Sequence, residues 1–438
     1  MPRLLSLNNY YYRRGGSEAV YFEHNRLLEQ AGWEVIPFSM HGAHNAPSPW
    51  SPYFVSDTAA ESRGSSLAKM SRALTAIYSR EAARRIGALI AAVRPHIAHA
   101  HNIYHHLSPS VLVEMKRRQI PVVMTLHDLK LACPAYKMHT KGAVCEACRG
   151  GALRNVVKNR CIKDSAAMSA LVWVESTLHK TLNLYTGTVT RFVVPSRFFL
   201  AKFAEWGIDT RRFVHIPNSI DVDGLPMHRA SGRTVAYLGR LVPEKGVATL
   251  IKAAALAQVP LRIIGTGSEE AALRELAART GGEIEFTGYL TGPALRMALA
   301  STRAVVVPSE WYENAPISVM EAAAMGLPVV GANIGGIPEL IRPQETGFVF
   351  ESGNVDALAG ALAQVQEQPI SRLRQMGAAA REWMQSDFSP SAYRDRMLAL
   401  YSQLNVHDAE KQKMDEGSHE PRTIRGNEGN RAWIAGHS

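Results

Sequence analysis

Glu313 and Glu321 stand eight positions apart in EWYENAPISVMEAAAMG (310–326), on either side of what reads as the start of a helix. Pro316 falls in the first turn and Gly326 just past the end, the placement that starts and stops helices. The free amides of Ile317 and Ser318 would then point out of a positive helix end, which is a seat for phosphate. Two carboxylates would repel a diphosphate, but they can accept from neutral hydroxyls on either side of it. A nucleotide sugar has that layout: ribose hydroxyls, diphosphate, sugar hydroxyls. The competing reading is an acidic helix start that merely complements the dipole.

Arg240 and Lys245 lie five apart around Pro243, just beyond an apolar run. Both can reach a diphosphate and neutralise it as a bond to it breaks, Arg through two oxygens and Lys as a point charge. The alternative is a solvated loop pair. Gly15 and Gly16 occupy a strand-to-helix turn, where a missing Cβ lets backbone come close to a ligand; a plain turn explains them as well. His127 closes the run VVMTLH, where a lone His is more often structural than catalytic. HAHNIYHH (99–106) lines an acceptor site or is a polar loop after a strand.

The chain's four cysteines, Cys133, Cys145, Cys148 and Cys161, fall as C-x11-C-x2-C-x12-C. A C-x2-C flanked by two more is zinc-like, and a cytosolic chain disfavours disulfides. The readings are a structural zinc site fixing an insertion near His127, or reduced thiols.

These residues need a scaffold, and the hydrophobic pattern supplies one. PRLLSL (2–7), WEVIPF (33–38), HIAHAH (96–101), PVVMTLHD (121–128) and RFVVPS (191–196) read as strands. SEAVYFEHNRLLEQAG (17–32) reads as a helix capped by Ser17. The second half repeats the rhythm: TVAYLGR, LRIIG, IEFTG, AVVVPS and PVVGAN alternate with helical stretches. Strands apolar throughout and separated by helices indicate a parallel sheet covered on both faces. Two such blocks predict an α/β chain of two doubly wound, Rossmann-like domains facing a cleft. Residues 1–215 form the first and 216–388 the second; a helix at about 389–405 packs back on the first, and 406–438 is expected to be a disordered tail.

Taken together, the motifs resemble the retaining glycosyltransferases of family 4, which have the GT-B fold. EWYENAPISVMEAAAMGLPVV is similar to the family's Glu–seven residues–Glu donor signature. RRGGSE (13–18) resembles its glycine loop, His127-Asp128 its HD pair, YLGRLVPEKG (237–246) its Arg–four residues–Lys element, and GTGSE (265–269) and FTGYL (286–290) its base-side loops. The resemblance covers roughly residues 1–400. It implies that Glu321 binds the ribose, that Glu313 touches the donor sugar, and that His127 faces sugar and acceptor. It places Gly15, Gly16, Arg240, Lys245, Gly265, Gly267, Tyr289, Leu290, Asn314, Pro316, Ile317 and Ser318 at the donor. It implies a UDP- or GDP-sugar donor, a lipid-linked or polysaccharide acceptor of the kind used for cell-surface polysaccharides, and front-face transfer. Asn314-Ala315-Pro316 stands where many members have a Gly-Phe-Gly-like turn, so the sugar pocket differs. With no Asp-x-Asp at a plausible donor site, transfer is expected to need no divalent metal.

Composition bounds the remainder. A chain of 438 residues, 46% hydrophobic, is ample for two cores. Residues 1–200 hold 25 of the 49 Lys and Arg but 12 of the 39 Asp and Glu, so the basic half is N-terminal and suits an anionic partner. SSLAKMSRALTAIYSREAARRIGALIAAV (65–93) is basic and amphipathic: it lies on an anionic membrane surface or packs on the sheet. No transmembrane helix or signal peptide is read, so the expected location is cytoplasmic, or peripheral on the cytoplasmic face of the inner membrane. A nucleic-acid binder would want an aromatic-interleaved basic patch, and none is found. A dinucleotide oxidoreductase would want G-x-G-x-x-G, which the Gly265–Gly267 stretch lacks. A soluble small-molecule acceptor is the remaining alternative.

Overall fold

The alternating runs fold into two six-stranded parallel sheets. The structure, a computed structural model, describes residues 1–57 and 75–417. The first sheet holds β1 (Arg3–Leu7), β2 (Glu34–Phe38), β3 (Ile97–Ala100), β4 (Val122–Thr125), β7 (Arg191–Val194) and β8 (Phe213–His215), in the order β2-β1-β3-β4-β7-β8. Between β4 and β7 lies the cysteine-bearing insertion, where β5 (His139–Thr140) and β6 (Ala143–Val144) pair antiparallel. The second sheet holds β9 (Thr234–Leu238), β10 (Leu261–Ile264), β11 (Ile284–Gly288), β12 (Thr302–Val307), β13 (Val329–Ala332) and β14 (Gly347–Phe350), in the order β11-β10-β9-β12-β13-β14. The order runs outward in opposite directions from β9 and β12. That reversal leaves a crevice beyond their carboxyl ends, where open α/β sheets bind ligands.

Burial explains the sequence pattern. All six residues of β12 are buried, because helices cover both sheet faces. Leu5, Ile36, Phe38, Met124 and Phe192 belong to the first core; Val235, Ile263, Val305, Val330 and Phe348 belong to the second. The helix Arg80–Val93 sends Ala82, Ile86, Leu89, Ile90 and Val93 into the first core. The described half of the basic amphipathic stretch therefore turns its apolar face inward rather than toward a membrane. Residues 65–74 of that stretch lie outside the described residues.

Three local expectations are corrected. The first helix is Gly16–Gln30 with Gly15 at its cap; the Ala19 N–H donates to the Gly15 carbonyl at 3.0 Å, which starts the helix before Ser17. The helix after β12 is Ile317–Ala324, with Pro316 at the cap position itself rather than in the first turn. The last helix, Pro390–Gly417, extends past 405, so residues 406–417 are helical where a disordered tail was expected. Ala409 to Met414 are good helix formers with no breaker before Gly417. Residues Met1–Met397 form one compact unit, and the chain from Leu398 onward belongs to a second. Within the first, the Tyr393 hydroxyl meets His24 Nδ1 at 3.0 Å, so the start of that helix touches the first domain.

Two loops of the second sheet come so close that they exclude side chains. A Cβ at Gly265 (φ 144°) would lie 1.9 Å from the Gly239 carbonyl oxygen, and one at Gly267 would lie 2.1 Å from that of Leu241. Gly265→Ala is expected to cost about 1–3 kcal/mol or more of stability, read as a drop in denaturation midpoint. An unchanged midpoint would contradict this packing.

Candidate functional site

The crevice between β9 and β12 is built from two loops. After β9 the chain turns through Gly239 and Arg240 into a short 3-10 turn, Pro243–Lys245. After β12 it runs through Ser309 to Glu313. The loops touch: the Glu310 N–H donates to the Glu244 carbonyl at 2.9 Å, and a Cβ at Gly246 (φ 67°) would strike the Pro308 carbonyl. That contact brings Lys245 Nζ to 2.5 Å from Glu313 Oε1. The Ser309 hydroxyl donates to the same oxygen at 2.7 Å. Glu313 is only 6% exposed. Burial alone would lift its carboxyl; the Lys245 ammonium and the Ser309 hydroxyl outweigh it and hold the group below the ordinary carboxylate range. Lys245 was expected at a phosphate and Glu313 at sugar hydroxyls, yet the two are paired with each other. Arg240 is exposed beside them, and its guanidinium makes no hydrogen bond among the described residues.

The helix Ile317–Ala324 follows directly. It buries Val319, Met320 and Ala322–Ala324, which leaves Ser318 and Glu321 half-buried on the other face. No side chain caps its start, and the Ile317 and Ser318 amides find no partner among the described residues. Burial raises the Glu321 carboxyl above its ordinary range. From the first domain, the Gly15–Gly16 turn comes opposite: a Cβ on Gly16 would lie 3.8 Å from Ile317 Cγ1. Gly265 and Gly267 pack against the loop that follows β9, and their glycine identity follows from that packing. Tyr289 beyond β11 is 75% exposed, whereas Leu290 packs on the second core.

His127 stands just past β4, half-buried. Its Nε2 meets His101 Nδ1 at 2.9 Å, with the rings stacked 5.2 Å apart. His101 stacks in turn on His99 at 4.7 Å, and His99 Nε2 meets the Thr125 hydroxyl at 2.7 Å. His99 and His101 are fully buried, so this part of HAHNIYHH is core and lines no acceptor site. Desolvation drives His127 down to about 4 and keeps His99 and His101 well below the usual imidazole range. All three are neutral at pH 7. Burial lifts Asp128 to about 6, while its Oδ1 accepts the Lys130 N–H at 2.9 Å.

Asn314 acts between the domains. Its Oδ1 accepts from the Ser196 hydroxyl at 2.8 Å and its Nδ2 donates to the Leu126 carbonyl at 2.9 Å. The residue beside Glu313 is thereby tied to the residue beside His127. Glu339 makes a second tie, accepting the Arg197 and Phe198 N–H groups at 2.8 and 2.6 Å and so capping the helix Arg197–Glu205. Sequence reasoning missed Ser309, which lies only four positions from Glu313, as well as Glu339 and this use of Asn314, whose partners lie more than a hundred positions away where local spacing gives no signal.

The four cysteines line one cavity, and all are unbridged. Among the described residues, the set of three or more metal-capable ligand atoms within 4.8 Å of one another is His24, His99 and His101. Each of those rings already has a partner: Tyr393, Thr125 and His127 respectively.

The architecture is that of the GT-B fold. The chain superposes on sucrose-phosphate synthase from Thermosynechococcus elongatus with a TM-score of 0.66 and 20% identity, over 93% of this chain and 100% of that one. Two family descriptions match it, "Glycosyltransferase Family 4" over residues 14–223 and "Glycosyl transferases group 1" over 228–383. The chain belongs to the group 1 glycosyltransferases of family 4. It is 30% identical over 230 residues to a GDP-mannose-dependent monoacylated alpha-(1-6)-phosphatidylinositol monomannoside mannosyltransferase of Corynebacterium glutamicum, covering 47% of this chain and 60% of the relative. It is 29% identical over 206 residues to a putative colanic acid biosynthesis glycosyltransferase, WcaL, of Salmonella typhimurium, covering 44% and 49%. The chain thus spans about half to three-fifths of the length of these relatives.

Two outcomes follow for solution measurements. Asn314→Ala leaves the Leu126 carbonyl unpaired and is expected to cost about 1–3 kcal/mol, read by denaturation. With His127 neutral down to about pH 5, the pH profile of activity should show no inflection at the ordinary imidazole value of about 6.5. An inflection there that disappears in His127→Gln would contradict the desolvated ring.

Proposed function

We propose that this protein transfers a sugar from a UDP- or GDP-linked donor to a lipid-linked or polysaccharide acceptor, with retention of anomeric configuration. The observation that supports the reading is the crevice beyond β9 and β12: Arg240 and Lys245 follow β9, Lys245 is paired with Glu313 after β12, and the helix that follows opens on the amides of Ile317 and Ser318, unpartnered among the described residues, with Glu321 on its outer face. The match to a GDP-mannose-dependent relative supports a nucleotide-diphosphate donor, and the match to a colanic acid enzyme supports a polysaccharide pathway.

The chemistry follows from charge. When the anomeric C–O bond breaks, its electron pair goes to the terminal phosphate oxygen. Positive charges and helix amides fixed around that oxygen stabilise it as charge develops. A bound diphosphate competes with Glu313 for Lys245, which frees the Glu313 carboxylate toward sugar hydroxyls and the developing positive charge at the anomeric carbon. Glu321 holds the ribose hydroxyls. The acceptor hydroxyl attacks from the leaving-group side and gives its proton to a diphosphate oxygen. His127, with Nε2 held by His101, offers Nδ1 to a hydroxyl. Charge neutralisation falls to protein groups, so omitting magnesium and manganese should leave the rate unchanged. A lipid-linked acceptor would bring the protein to the cytoplasmic face of the inner membrane.

UDP- or GDP-sugar at concentrations about 100-fold above Kd should stabilise the fold by about 2.7 kcal/mol, read as a thermal shift. Glu313→Gln should retain the fold and lose about 100-fold or more in kcat. Stabilisation by neither nucleotide sugar, or full turnover in Glu313→Gln, would reject the proposal.

A further inference from the structure

The insertion between β4 and β7 brings Cys133, Cys145, Cys148 and Cys161 to the wall of one cavity, beside His139 and Trp206. None is bridged. Cys145 and Cys148 form a C-x2-C turn, with Gly150 (φ 69°) and Gly151 (φ 85°) close behind to reverse the chain. Two sulfurs from one turn and two from flanking strands of chain can surround one ion, and an all-thiolate set selects zinc over hard cations. We propose that this cavity binds zinc through the four thiolates, and that the ion is a staple holding the donor site together.

The second half of the proposal follows from what the insertion touches, and it rests on the function proposed above. Glu146 lies inside the C-x2-C turn. Its Oε1 accepts from the Tyr312 hydroxyl at 2.8 Å and from Lys202 Nζ at 2.7 Å. Tyr312 immediately precedes Glu313. Lys137, between Cys133 and Cys145, places Nζ 2.7 Å from Glu244 Oε1, and Glu244 immediately precedes Lys245. The insertion thus grips the neighbour of each member of the Lys245–Glu313 pair. The cysteine-bearing part, residues 133–161, has slight regular structure of its own: two two-residue strands, the three-residue turn Arg149–Gly151 and the four-residue helix Asn155–Lys158, ahead of the helix Ala166–Thr181. So little ladder cannot fix two long side chains unaided, and a tetrahedral cross-link can. Among the described residues no three of these sulfurs lie within 4.8 Å of one another, so loading draws the walls inward. The four thiol protons leave to solvent as zinc binds.

The test uses the full chain, purified under reducing conditions. Elemental analysis should find about one zinc per chain. Stripping with a chelator should expose four thiols to a thiol reagent, and zinc added back should mask them again. The double variant Cys145→Ser/Cys148→Ser should lose the metal. Glu146→Gln should keep the metal and weaken binding of the nucleotide-sugar donor by about tenfold, as stripping should. Metal-free reduced protein that takes up no added zinc overturns the site, as does zinc retained by the double variant. Zinc bound with donor affinity indifferent to stripping and to Glu146→Gln overturns the staple. If zinc-loaded protein binds neither UDP- nor GDP-sugar, the donor reading and the staple both fall, while zinc content still decides the metal site.

Discussion

A buried carboxylate needs a partner, and the second domain of this protein is arranged around meeting that need for Glu313. At 6% exposure the group would be costly if unpaired. The Lys245 ammonium at 2.5 Å and the Ser309 hydroxyl at 2.7 Å satisfy it. For those groups to meet, β9 and β12 must be neighbours, since Lys245 follows one strand and Glu313 the other. The loops must also touch, which is why Gly246 carries no side chain against the Pro308 carbonyl. Sheet order, loop composition and the electrostatics of one acid are therefore a single constraint. Removing either charge would strand the other in a site with little water.

The same pair gives the site a poised character. On the proposed function, Lys245 is held beside the donor's phosphate by a carboxylate that the transfer itself would use. Ligand binding exchanges one anion for another at an ammonium whose position is already fixed. Little rearrangement is then needed when charge develops, which is the condition under which electrostatic stabilisation is most effective.

Much of this was legible in the sequence. β12 and β13 are buried along their whole length because both faces are covered, and with β9 and β10 they read plainly as a parallel sheet. The Glu313/Glu321 and Arg240/Lys245 spacings pointed to the crevice beyond β9 and β12 because each lies within one loop or helix turn of a strand end. β8 and β14, of three and four residues, were not read. The meeting of Lys245 with Glu313 across 68 positions was not legible, nor was the Asn314 tie to Leu126 across 188. Spacing encodes neighbours on one element; contacts between loops depend on how the sheets are stacked. The histidines of HAHNIYHH misled for a related reason: polar residues suggested a surface, yet inside the core His99 meets the Thr125 hydroxyl, His101 meets His127, and the His99 and His101 rings stack.

The cap that Glu339 places on the helix Arg197–Glu205 has a consequence for recombination between relatives. An acid from one half terminates a helix of the other, and Asn314 likewise leans on Ser196 and Leu126. Exchanging whole halves between homologous enzymes to graft a new acceptor preference onto an old donor preference would break these matched sets at the seam. A functional hybrid must carry Glu339 together with a receptive helix start, and Asn314 together with a hydroxyl at position 196. The seam, rather than either pocket, sets which halves are interchangeable.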